Sequence, residues 1–277
     1  MMRLDVQPVI VAGGFSFPEG PSFDAAGDLY LVNIHAGTVS RMTPQGVVST
    51  FVTTGGGPNG SKFHANGHLY VCEAGRREIL AIAPDGTMRS VADNCAGQRF
   101  AGPNDMIFDA TGGFYFTDPP GSDAQNPIGA IYYVSADGTV RRVAEGLAFP
   151  NGVVLSADKR TLFFGETSLQ RISHCAVRPD GSLGPYETFC QLPRKELQEE
   201  EGPDGMAFGA DGRLYAATYG QGCVWVISPQ GETVAELPAG GLNPTNVAFW
   251  GESLYVTETQ TDTVRRLDIG VRGQPLP

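Results

Sequence analysis

The sequence predicts an all-β fold: a six-bladed β-propeller with four antiparallel strands per blade, the last blade closed by an N-terminal strand. Three observations predict it. One strand–turn–strand template is written six times, most copies are followed by two further strand-like runs, and a spare apolar run precedes the first copy. Six copies in 277 residues give about 46 residues each, near the size of a propeller blade.

The template is Pro, a polar residue, a small residue, an apolar strand, a short turn, and a second apolar strand ending at a polar residue. Blade 1 follows FPEG (17–20) with GPSFDAAGDLYLVN (20–33). Blades 2 and 3 carry NGSKFHANGHLYVCE (59–73) and PNDMIFDATGGFYFTD (103–118). Blades 4, 5 and 6 carry PNGVVLSADKRTLFFGET (150–167), PDGMAFGADGRLYAATY (203–219) and PTNVAFWGESLYVTET (244–259). Third runs such as TVSRMTP, EILAIAP, AIYYVSA, RISHCAV and CVWVISP follow, then a Gly turn and a fourth run such as VVSTFV or TVAELP. Alternation, β-branched residues and turn signals at this spacing read as strands. The sixth copy stops after TVRRLDI (263–269), and QPVIVA (7–12) is free to complete it, which removes the open edge. The helix-like patch RKELQEEE (194–201) reads as a solvated turn in a longer loop.

The composition fits one domain over residues 1–277, with 37 glycines, 20 prolines, 18% charged and 41% hydrophobic residues. A formal net charge of −11 argues against nucleic acid and anionic membrane as partners and is compatible with a cation-binding face. Cys72, Cys95, Cys175, Cys190 and Cys223 have irregular spacings and read as reduced thiols. The apolar run near the N-terminus is too short for a signal peptide, and no stretch reaches transmembrane length. The expectation is a cytoplasmic monomer.

In a propeller the first strand of each blade lines the central channel. The polar residue after each template proline therefore rings one mouth: Glu19, Asn59, Asn104, Asn151, Asp204 and Thr245. One such residue is an ordinary turn former. Six at the same place in a closed ring, all with side-chain oxygen, are a donor set for a hard cation, calcium first. The absence of His and Cys from the ring argues against zinc, which stays an alternative to calcium together with magnesium and manganese. Loops opening on the same face offer Asn33 and His35, Glu73 with Arg76 and Arg77, Asp118, Glu166, Tyr219, Gln221 and Glu258. The longest, DPPGSDAQNPIG (118–129), is placed to wall a pocket, and Arg99 to hold an anion. His64 and His68 fall on the opposite face and are expected to be inert. No GxSxG elbow or nucleophile–His–acid set appears, and GGG (55–57) lies at a blade crossover, not in a phosphate loop.

EGPSFD (19–24), QRFAGPNDMIFDATGGFYFTDPPG (98–121), FPNGVVLSAD (149–158) and GPDGMAF (202–208) together resemble the regucalcin/gluconolactonase family of six-bladed propellers. The resemblance covers nearly the whole chain. It implies a divalent metal, often calcium, held by Glu19, Asn104, Asn151 and Asp204, and hydrolysis of sugar-acid lactones. One departure is Asn33, where the family more often has an acidic residue. The mechanism then expected is metal polarisation of the lactone carbonyl and attack by water. Asp204 holds the metal and accepts the proton, and Asp105 orients the ligand beside it. Asn104, Asp105, Arg99, His35 and Asp118 are the expected substrate contacts or supports. A phosphotriester hydrolase with the same ring and a non-enzymatic calcium-binding propeller are the alternatives.

Overall fold

The structure, a computed structural model, describes residues 2–3 and 6–275, with residues 2–3 described as backbone. Six sheets of antiparallel strands follow one another along the chain. Their first strands are Pro18–Phe23, Pro58–Phe63, Met106–Phe108, Pro150–Leu155, Gly202–Phe208 and Pro244–Trp250. Each packs against the first strands of both neighbours, so the six enclose a channel. The closure expected from the sequence is present: Val9–Gly13 pairs antiparallel with Thr263–Asp268, Val9 opposite Arg266. A feature the pattern did not predict is a fifth strand in blade 5, where Met2–Arg3 runs parallel to Thr233–Pro238. The N-terminal segment thus ties two blades together.

The core lies between blades. Six apolar clusters fill the six interfaces, from Tyr70, Phe100 and Phe116 between blades 2 and 3 to Phe163 and Trp225 between blades 4 and 5. Second strands such as Leu29–Asn33 and Phe114–Asp118 are buried on both faces, which explains their continuous apolar runs. Each large side chain so buried contributes about 1.5–3 kcal/mol. The outermost strand Val48–Thr53 is largely exposed.

Two local devices aim side chains at the axis. The first is a recurrent irregularity in register at the ring residue, between Glu19 and Ser22, Pro58 and Ser61, Pro150 and Val153, Pro203 and Met206, and Pro244 and Asn246. Such a bulge breaks the in–out alternation and re-aims the residue beside it. The second is the glycine after the ring residue. A Cβ on Gly152 would lie 2.1 Å from the Asp204 carbonyl oxygen, and one on Gly205 1.9 Å from Asn246 Cγ. Glycine therefore lets neighbouring inner strands approach closely enough to close the ring.

Residues 194–201 form no helix, and the helix found among the described residues is the short 3₁₀ turn Thr167–Leu169. Among the described residues no helix is long and apolar enough to cross a membrane.

Candidate metal centre and substrate cavity

One cavity of about 570 Å³ is lined by all six ring residues: Glu19, Asn59, Asn104, Asn151, Asp204 and Thr245. Phe17 and Phe149, the first residues of FPEG and FPNG, also line it. Both adopt left-handed backbone, φ 57° and 56°, and both are held there by hydrogen bonds. Phe17 N–H donates to Asp262 Oδ1 at 3.0 Å and Phe149 N–H to Ser122 Oγ at 3.1 Å. Strain of this kind persists where surrounding structure fixes it. In blades 1 and 4 the two phenylalanines thus set the direction in which Glu19 and Asn151 leave the chain.

The ring side chains are themselves oriented. Glu19 is 4% exposed, and its Oε2 accepts from Gly20 N–H and, at 3.0 Å, from Asn246 Nδ2. Asn151 donates from Nδ2 to Thr167 Oγ1 at 3.3 Å. Its amide oxygen accepts no hydrogen bond among the described residues. Thr245 differs: its hydroxyl donates to Pro18 O at 2.9 Å and lies 2.8 Å from Thr257 Oγ1. It locks blade 6 to blade 1 and is already engaged.

Electrostatics single out three carboxyls. Burial, then the Asp105 charge, pushes Glu19 up to about 7, against the Asn246 and Gly20 hydrogen bonds and the more distant Lys62. Burial and the charges of Glu19 and Asp105 push Asp204 well above the usual carboxylate range. Asp105, 2% exposed, is raised by burial; Lys62 and the N–H groups of Met106 and Val153 oppose this. None of the three has an ion-pair partner among the described residues. Three mutually repelling carboxyls beside neutral amides form a site short of positive charge, and a hard divalent cation fits it. Among the described residues no group of three or more His, Cys, Asp or Glu is spaced to chelate a metal unaided. The donor set must therefore include the amides.

The expected supports separate into three kinds. Asp105 sits below the ring, its Oδ1 accepting from Met106 N–H at 2.8 Å and its backbone N–H donating to Thr117 Oγ1 at 3.1 Å. Thr117 Oγ1 in turn donates to Asn151 O at 2.8 Å, so one threonine links both positions. Asp118 does not line the cavity; it accepts from Ala101 and Gly102 N–H at 2.8 and 2.6 Å and braces the segment that carries Asn104. His35 is exposed and stands behind Phe17, ring centroids 4.8 Å apart. Arg99 is a correction: it lies on the exposed hairpin Asn94–Cys95 and Gln98–Arg99, and its Nη2 donates to Arg76 O at 2.7 Å, away from the cavity.

Asp118 belongs to a repeated device. The residue ending the second strand accepts from the N–H groups that precede the ring residue: Asn33 from Ser16, Glu73 from Gly57, Glu166 from Ala148 and Glu258 from Asn243. Most of these loop residues are therefore braces, not substrate contacts. Asn33 fills the same role as an amide, with Nδ2 donating to Thr38 and Ser40. Of the three glycines in the GGG run, Gly56 is the one packed against this brace: a Cβ there would meet the Glu73 carboxyl. Blade 5 breaks the pattern. Thr218 stands opposite Pro203, and Tyr219 lines the cavity instead.

Two walls complete the cavity. Ser122–Gln125 come from the long blade 3 loop, as its length predicted. Arg194 and Glu199–Glu201 come from the segment read as a solvated turn. That segment is tethered: Lys195 Nζ donates to Gln221 O at 3.1 Å and to Glu236 Oε1 at 2.8 Å. The thiols are free, and burial pushes Cys175 and Cys190 up to about 11 and Cys223 up to about 12, which leaves them poor nucleophiles. His64 and His68 lie in the turn between the first two strands of blade 2, the His64 ring packed on Phe108 at 4.7 Å.

Residues 17–260 match the family described as SMP-30/Gluconolactonase/LRE-like region. The lactonase drp35 of Staphylococcus aureus is 32% identical over 228 residues, covering 79% of this chain and 68% of that protein. A gluconolactonase structure from Xanthomonas campestris superposes with a TM-score of 0.84 at 27% identity, over 99% of this chain and 90% of that one. A calcium-binding regucalcin from Agrobacterium tumefaciens shares the fold, with a TM-score of 0.83 at 20% identity over 98% of this chain and 97% of that one.

Proposed function

The chain belongs to the SMP-30/gluconolactonase/LRE-like family, and from that premise we propose that it is a divalent-cation-dependent lactonase acting on a sugar-acid lactone. One observation carries the cation dependence: Glu19, Asp204, Asn104 and Asn151 line one cavity, and neither Glu19 nor Asp204 has an ion-pair partner among the described residues. The all-oxygen donor set favours calcium over softer ions. The cavity volume of about 570 Å³ is that of a small-molecule site. Its rim carries Asp123, Gln125, Ser168, Arg194 and Tyr219, groups suited to a hydroxylated substrate.

When bound, the cation supplies Lewis-acid polarisation of the lactone carbonyl. Asp204 accepts the proton of the attacking water. Water oxygen bonds to the carbonyl carbon and the ring ester C–O bond breaks. The departing oxygen takes a proton, and a hydroxy acid results. Asp105 keeps Asn104 in place through the shared backbone, and Thr117 ties that segment to Asn151. The same reading takes the closed ring as one domain acting as a monomer.

The test is turnover of a panel of sugar lactones, aliphatic lactones and phosphotriesters, with calcium and with EDTA. Calcium-dependent turnover of sugar lactones supports the proposal. Undiminished turnover in EDTA overturns the cation dependence, and preferred turnover of phosphotriesters overturns the substrate class.

A further inference from the structure

The channel has a second mouth. There a separate cavity of about 430 Å³ is lined by the far halves of the inner strands and by residues 272–274 near the C-terminus. Gln274 Nε2 donates to Leu155 O at 3.2 Å and pins that segment across the opening. The chain as a whole carries a net charge of −11, yet no Asp or Glu is among the described residues lining this cavity. Lys62, Lys159 and Arg272 are.

The two lysines are unusual. Lys62 is 7% exposed and makes no hydrogen bond or ion pair among the described residues; it feels Asp105 and Glu19 only at a distance. Lys159 Nζ is buried and has no hydrogen-bond partner among the described residues. Burial lowers its affinity for a proton, and it makes no ion pair among the described residues. Arg272, at the rim, is shared with Glu252 at 3.5 Å. A buried ammonium without a partner is unfavourable, and an anion is what relieves it. The remaining wall is apolar: Phe23 and Trp250 stack at 5.2 Å, and Phe208, Phe249 and Met206 lie beside them.

We propose that this cavity is a second ligand site, for a small amphipathic anion with a carboxylate on an apolar chain. The carboxylate pairs with Lys159 and Lys62, and the chain lies along Phe23 and Trp250. Asp105 and Glu19 act on Lys62 from the ring side, so Lys159 is the stronger anchor. The site shares no lining residue with the ring cavity.

Octanoate is the probe, titrated into the full chain and followed by tryptophan emission. Trp250 lines the cavity, and the other tryptophan, Trp225, is buried in blade 5 and 1% exposed. The expected result is saturable binding that Trp250→Phe silences. Octanol, the neutral analogue, binds at least about tenfold more weakly, and Lys159→Met or Lys62→Met weakens octanoate about tenfold. Asp204→Asn leaves octanoate affinity unchanged. Lys159 sits in an exposed turn, so its variant keeps the test available if Lys62→Met fails to fold. Absence of saturable binding, equal binding of octanol, or unaltered affinity in Lys159→Met overturns the proposal. So does loss of octanoate binding in Asp204→Asn, which would place it in the ring cavity.

Discussion

Asn246 Nδ2 lies 3.0 Å from Glu19 Oε2, across 227 residues of sequence and across the seam between last blade and first. Asn246 is itself fixed, its Oδ1 accepting from Val247 N–H at 2.8 Å and its N–H donating to Thr257 Oγ1 at 3.0 Å. Closing the propeller therefore also orients a ring carboxylate. Asn246→Leu removes the donor at similar volume. It should weaken calcium affinity about tenfold by calorimetry, the worth of one hydrogen bond to a charged group. Gly205→Ala should do the same, since its Cβ would displace Asn246. Wild-type affinity in both variants would remove the orienting role.

Glu19 and Asp204 are both carboxyls of the ring, but only Asp204 is given a proton-transfer role. Glu19→Gln should lower calcium affinity and recover turnover once calcium is saturating. Asp204→Asn should lower affinity too, and at saturating calcium should still lose about 10²–10⁴-fold in kcat, as removal of a general base does. Full kcat in Asp204→Asn would assign the base elsewhere.

Fold and ring were legible for the same reason: both are periodic. A template repeated six times places Glu19, Asn104, Asn151 and Asp204 at one point of each blade, whatever the loops do. What stayed hidden depends on contacts between distant segments. Asn246 reads as an ordinary strand residue until blade 6 meets blade 1. The acidic run ending at Glu201 has helical composition, but the Lys195–Glu236 pair and the Gln221 carbonyl draw it over the cavity. Glu73, Glu166 and Glu258 look like loop acids, because nothing local shows that each caps the N–H groups of its own blade. Arg99 was misplaced because a two-residue hairpin carries it outward.

The braces predict a stability effect joined to a functional one. Asp118→Ala leaves the Ala101 and Gly102 N–H groups without their acceptor and should cost about 1–3 kcal/mol in denaturant unfolding. The loosened segment carries Asn104, so calcium affinity should fall as well. Asp118→Asn keeps one acceptor oxygen and should lose less of both. Asp118→Ala with unchanged stability would contradict the brace.

Arg194 is the one cationic side chain among the described residues lining the ring cavity. It stands on the tethered wall, apart from the ring. Arg194→Ala should raise KM for a sugar lactone about tenfold with kcat nearly unchanged, the signature of a binding contact. Calcium affinity should not move. A fall in kcat with constant KM would make the arginine part of the chemistry.

The charge shortage at the ring makes a pH prediction for the protein stripped of metal. Glu19 titrates near 7 in the fold against an ordinary value of 4.5. Between those values the folded state holds more protons than the unfolded one, so stability is fullest below about 4.5 and is lost as pH rises through about 7. The loss should be about 1–3 kcal/mol, given the opposing pull of Lys62 and the coupling to Asp204. Calorimetric melting in EDTA should therefore give a lower Tm at about pH 8 than at about pH 5, and Glu19→Gln should reduce that difference, Asp204 keeping the remainder. Calcium should reverse the trend, since it competes with the same protons: its stabilisation should be large at the higher pH and small at the lower one. A Tm in EDTA that rises over this interval, or a calcium effect independent of pH, would mean that the ring carboxyls are neutralised by something other than protons and the cation.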